Sequence, residues 1–208
     1  GDGYTVVAFI KTLTSSYSTV AYKTADISST GDFTITATAD EMSQAVIQYG
    51  FSVTGPLADP TDTSLGSVVV GTEAPPASGN DVTVATSQEW NAYVNAFNVS
   101  DDTYAFGFAY TVSDLRATPT TTSMTLEPNT AIWTANATDA GWFDQGAATQ
   151  TANKYIEALS YIEDATLANE ELTFSGNISV SDLGDGYTVV AFIKTLTSSY
   201  STVAYKTA

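Results

Sequence analysis

The residues able to do chemistry in this chain are carboxylates, amides and aromatics. Cysteine and histidine are both absent. Their absence removes thiol nucleophiles, zinc sites built from Cys or His, and any Ser-His-Asp triad. Paired aspartates remain: Asp101 with Asp102, Asp139 with Asp144, and Asp59 with Asp62. They offer the hard oxygen ligands that Ca²⁺ prefers. None has the spacing or the closing Glu of an EF-hand loop, and the competing reading makes them turn formers. A structural Ca²⁺ is the cofactor expected, with Asp101, Asp102, Asp139 and Asp144 as its ligands.

The stretch Asp139-Ala-Gly-Trp-Phe-Asp144 also sets two large aromatics between two acids. That flanking suggests exposure, so Trp142 and Phe143 are the residues expected to contact a ligand, by stacking on a sugar. Trp90 and Trp133 are expected in the core. Glu157 with Glu163, and Glu170 with Glu171, are the acids to weigh for glycoside hydrolysis. Nothing in their setting resembles a raised-pKa acid facing a base. No catalytic residue is assigned, and the chain is read as non-enzymatic. Asn98, Asn136 and Asn177 lie in N-x-S/T sequons, which matter only in a host that glycosylates.

The elements that must position these residues are organised around a duplication. Residues 1–25 read GDGYTVVAFIKTLTSSYSTVAYKTA, and residues 184–208 repeat them letter for letter, 183 positions later. Such identity is not chance, and the period suits a whole domain rather than a solenoid turn. Two origins fit. The chain is a window on an array of near-identical domains, or it is a subunit that carries the same strand at both ends. In the second case one copy completes its own sheet and the other a neighbour's, by strand addition. Residues 73–80 (EAPPASGN) carry two prolines, a glycine and no large apolar residue, and read as a linker. This placement makes 1–72 the C-terminal part of one repeat and 81–208 the N-terminal part of the next. The strand at 4–10 is apolar on both faces. One copy is therefore expected to pair within the chain and the other with a neighbour, because an exposed edge of this kind invites aggregation.

The local patterns are those of a β protein. Phe33, Ile35, Ala37 and Ala39 alternate with threonines, which marks a half-buried strand. Val46–Thr54 and Tyr104–Val112 read as strands, the latter with Gly107 as a bulge or close approach. Trp90, Tyr93, Val94 and Phe97 have helical spacing, yet Asn91 and Asn95 oppose a helix, so this stretch fits either form. Residues 154–163 (KYIEALSYIE) also fit both periods and are read as a strand from their surroundings. Leu172–Val180 is a strand expected to bend at Ser175-Gly176-Asn177. Ten or more short strands with turn signals between them imply an all-β fold, a sandwich or jelly roll.

In permuted order the chain runs WNAYVNAF, YAFGFAYTVSDL, TLEPNT, NKYIEA, LTFSGN, YTVVAFIK, VIQYGFSVTG and LGSVVV. This series resembles a domain found, often in several copies, in large secreted surface proteins of bacteria. Its final strands are also similar to those of carbohydrate-binding jelly rolls. The resemblance implies an extracellular, cell-surface module and brings no catalytic residues. The function expected is a structural repeat of an adhesin or surface filament that assembles head to tail by sharing strands. The alternative is a carbohydrate-binding module in a multidomain secreted protein. The partners expected are copies of itself, with glycans under the alternative. A net charge of −17, from 23 acids and 6 bases, repels nucleic acid and anionic membranes. No apolar run is long enough to span a bilayer.

Overall fold

The computed structural model describes residues 30–72, 80–84, 87, 89–145 and 150–200 in full, and the backbone alone of 20–23 and 202–207. The strand expected at 4–10 lies outside the described residues, as does all of the 73–80 linker except Asn80. No described helix is long and apolar enough to cross a membrane.

The described strands are β1 (Val20–Lys23), β2 (Gly31–Ala37), β3 (Val46–Pro56), β4 (Ser67–Gly71) and β5 (Asn80–Val82). They continue with β6 (Asn91–Asn98), β7 (Tyr104–Tyr110), β8 (Ala117–Pro119) and β9 (Ser123–Leu126). A one-turn helix, α1 (Ala131–Ala135), precedes β10 (Lys154–Glu163), β11 (Leu172–Asp182), β12 (Thr188–Leu196) and β13 (Thr202–Thr207). They form two sheets. The larger has the order β1-β13-β12-β3-β10-β6-β7; the smaller runs β2-β11-β4-β9-β8, with β5 added parallel to one end of β11. β1 also pairs in parallel, with β13, and every other described pair is antiparallel. The sheets pack face to face as a β-sandwich, the all-β class that the strand and turn pattern implies.

Aromatic side chains join the two layers. Phe174 of β11 has its ring 5.4 Å from both Tyr49 and Phe51 of β3, and 5.3 Å from Phe33 of β2. These tilted and edge-on contacts add about 0.5–1.5 kcal/mol each beyond area burial. β2 buries Phe33, Ile35 and Ala37 and exposes its threonines, as its alternation requires. β3 is buried on both faces nearly throughout, because it lies at the centre of the larger sheet between β12 and β10.

Residues 91–98, whose pattern fits either form, are a strand. One local expectation changes. β11 runs straight through 175–177, and its irregularity falls between Ile178 and Val180. Gly176 is there for a different reason: a Cβ on it would sit 2.7 Å from the Phe33 ring. Between β9 and β10 the chain forms α1 at Ala131–Ala135. Buried Asn129 pins that helix, accepting from Ile132 N at 2.8 Å and donating to the Asp114 carbonyl at 2.8 Å.

The larger sheet extends beyond the smaller one at its β6–β7 end. A second apolar cluster covers that overhang: Ala92, Val94 and Ala96 of β6 and Ile156 and Ala158 of β10, under Ile132, Trp142 and Phe143. Strands from 30–72 and from 80–207 share both sheets, so the segments on either side of the linker interleave in one sandwich.

Candidate functional site

Trp142 and Phe143, expected to be exposed, are 4% and 0% exposed. Their loop closes the inner face of the β6–β7 overhang. Trp142 meets Phe106 edge-on at 4.9 Å, and Phe143 meets Trp133 at 4.8 Å. The loop is stapled to the entry of β10 by Asn153 N donating to Trp142 O and Asp144 N donating to Thr151 O. The flanking acids mark the loop's solvent side, while the aromatics between them fill the space the smaller sheet leaves open. Trp90 and Trp133 are half-buried and pack against the two clusters, Trp90 stacking on Phe51.

The aspartates expected to ligate a metal hold their own turns. Asp101 accepts from Thr103 N at 3.1 Å and Thr103 Oγ1 at 2.7 Å, and these bonds hold its carboxyl below the usual range. The same Asp-x-Thr/Ser arrangement recurs at Asp59-Pro60-Thr61, Asp62-Thr63-Ser64 and Asp164-Ala165-Thr166. Asp139 accepts from Gly141 N at 2.7 Å. Asp102 takes the left-handed conformation, φ 59°, in the turn after β6, and Asp144 is exposed. Among the described residues no three acids gather closely enough to hold a metal ion.

Glu157 and Glu163 lie on one face of β10, six residues apart. At the rise of a strand that is roughly 20 Å. Paired glycosidase carboxyls stand ~5–10 Å apart, so these two are not such a pair. Glu170 and Glu171 are exposed in the loop before β11.

The residues that do converge lie on the outer face of the larger sheet. Register sets Lys194 of β12, Gln48 of β3 and Glu163 of β10 side by side in one row. Gln48, 6% exposed, donates to Glu163 at 3.0 Å, and the Tyr200 hydroxyl donates to the other carboxylate oxygen at 3.2 Å. Two residues along, Tyr161 pairs with Asn91; two further, Leu159 pairs with Tyr93; beyond that, Glu157 accepts from Asn95 at 2.7 Å. All of these side chains except Glu157 line a groove of about 870 Å³.

Two features set the groove's shape. Gly107 of β7 has no side chain where a Cβ would sit 2.6 Å from the Tyr93 hydroxyl, so the Tyr93 ring lies over β7. Tyr200 takes φ 61° in the turn between β12 and β13 and is 58% exposed. A left-handed conformation is uncommon for a bulky residue and marks a constrained position. The electrostatics are crowded. Burial, then the charge of Glu163 and the nearby Tyr200 and Tyr93, push the Tyr161 hydroxyl up. Burial pulls Lys194 down, with Glu157 opposing.

The sequence carried a signal for this face. Asn91, Tyr93, Asn95 and Phe97 alternate with Ala92, Val94 and Ala96, and Tyr155, Glu157, Leu159, Tyr161 and Glu163 alternate along β10. Lys194, Leu196 and Tyr200 of the groove come from the duplicated segment. No family model matches the chain, and neither a curated protein nor a solved structure shows similarity to it.

Proposed function

We propose that the chain is a structural module of an extracellular tandem array or surface filament, whose duplicated segment completes the larger sheet of each unit. One observation carries this reading. β12, from the second copy of the duplicated segment, sits inside the sheet and pairs with β3 along its whole length, Thr188↔Thr54 to Leu196↔Val46. The first copy has the same residues and therefore fits the same slot. Its continuation also suits that seat, because β13, which ends the second copy, packs near β2, the strand that follows the first copy. β1, the described part of the first copy, lies at the sheet's edge beside β13, so the slot beside β3 holds one of two identical strands, and the other is left to serve a neighbour. Such a heterologous contact does not close, so it propagates as a fibre. The likeness of the permuted strand series to repeat domains of secreted bacterial surface proteins supports the same reading, and no catalytic role is assigned.

The chain has no cysteine, so an introduced pair reports strand exchange without background. Val7 corresponds to Val190, which pairs with Ser52. Under oxidation, Val7→Cys with Ser52→Cys is expected to give a ladder of covalent multimers at high concentration. Monomeric products alone would count against exchange between chains.

Calcium enters this reading as a shared counter-ion between acidic units. Adding Ca²⁺ at constant ionic strength is expected to promote association and to leave the unfolding midpoint of dilute protein unchanged. A raised midpoint in dilute protein would point to a bound structural ion instead.

A further inference from the structure

We propose that the groove on the outer face of the larger sheet binds a neutral oligosaccharide. The inference is independent of the array reading, because it needs only β12 in its observed place beside β3.

The volume, about 870 Å³, lies within the range of small-molecule sites. The lining is not that of a hydrophobic pocket. Tyr93, Tyr161 and Tyr200 are partly exposed and stand among Asn91, Asn95 and Gln48. A tyrosine ring offers an apolar face to the C–H face of a pyranose, and its hydroxyl remains available for hydrogen bonding. An amide carries both donors and acceptors, which suits a sugar hydroxyl that is itself both. Glu163 is held in place by Gln48 and Tyr200 and acts as an oriented acceptor, while Glu157, outside the lining, fixes the amide of Asn95.

The ring of Tyr93 lying over β7 above Gly107 is a preformed surface, not a side chain filling space. The constrained backbone of Tyr200 holds its hydroxyl at the groove's rim. Apolar packing alone would require neither feature. Charge narrows the ligand class. A molecule of net charge −17 disfavours polyanions. Within the groove the charged residues are Lys194 and Glu163, one of each sign, which favours a neutral, hydroxyl-rich chain over a charged one.

The test is calorimetric titration of the full chain with a panel of neutral hexasaccharides: β-1,4-glucan, β-1,4-xylan, β-1,4-mannan and α-1,4-glucan oligomers. At least one is expected to bind saturably in the micromolar to millimolar range. Tyr161→Ala and Asn95→Ala are each expected to weaken that binding at least about tenfold, with circular dichroism confirming the fold. Tyr161→Phe keeps the ring and is expected to lose less. Tyr155→Ala, on the same face but stacked on Phe97 outside the groove, is expected to leave affinity unchanged. The proposal is overturned if no member of the panel binds, if a sulfated polyanion binds in place of every neutral sugar, or if binding survives both alanine variants.

Discussion

β6 and β10 carry aromatic or bulky residues around both of their faces, yet the two faces are built differently. On the inner face, Ala92, Val94, Ala96, Ile156 and Ala158 are small or aliphatic, and the aromatics that cover them, Trp142 and Phe143, arrive from a loop. On the outer face the strands supply their own rings, Tyr93, Phe97, Tyr155 and Tyr161, interleaved with Asn91, Asn95, Glu157 and Glu163. Inside, the rings are sealed within the second apolar cluster. Outside, the amides of Asn95 and Gln48 and the hydroxyl of Tyr200 donate to Glu157 and Glu163 at the surface. Aromatic content alone therefore does not identify a binding face; what distinguishes it is the company the rings keep.

The largest expected effect tests the inner face. Trp142→Ala opens a cavity under β6 and β7 and is expected to cost ~3–5 kcal/mol, read from the denaturant midpoint. Tyr161→Ala on the outer face of β10 is expected to cost far less, about 1 kcal/mol. Equal costs would break the distinction between a sealed and an open face.

Gly107→Ala sharpens the same comparison. Its Cβ would meet the hydroxyls of Tyr93 and Tyr104, at 2.6 and 2.9 Å. The rings can yield toward solvent, so the expected cost is about 1–3 kcal/mol, together with a changed near-UV tyrosine signal. No change in that signal would show that Tyr93 does not rest on Gly107.

The mildest effect appears at high pH. Burial, with Asp62 nearby, pushes the Tyr187 hydroxyl up from 10.0 to about 12. A raised folded-state value means the folded protein holds this proton more tightly than the unfolded chain does. The contribution is whole below pH 10 and is lost as pH rises from about 10 to about 12. Tyr93 and Tyr161, also raised by burial, add to the same slope from the outer face. Tyr187→Phe is expected to flatten part of the alkaline loss. An unaltered pH profile would remove Tyr187 from this account.

Where the solvent face of a strand was polar, the sequence revealed the strand, as in β2 with its threonines. β6 was ambiguous for a physical reason. Tyr93 and Phe97 face outward and Val94 faces inward, so apolar residues sit on both sides and mimic a helical period. β10 shares the problem, and only its neighbours decided it. Trp142 was misplaced because the acids around it describe the loop's exterior, whereas its own position depends on the overhang of one sheet past the other. The groove was legible only in fragments. Lys194, Gln48 and Glu163 fall in one row because β12, β3 and β10 are neighbours, and no local pattern encodes that order. The duplication was legible at once, since identity needs no structure to be seen.

The account rests on a single slot beside β3 that either copy of the duplicated segment can fill. Sedimentation velocity on three chains tests it: residues 1–208, residues 1–183 and residues 26–208. Each truncation retains one copy, so both are expected to be folded monomers with similar unfolding midpoints, while the full chain, with one copy to spare, sediments as concentration-dependent oligomers. A full chain that stays monomeric at high concentration, or a single-copy chain that polymerises, would contradict it.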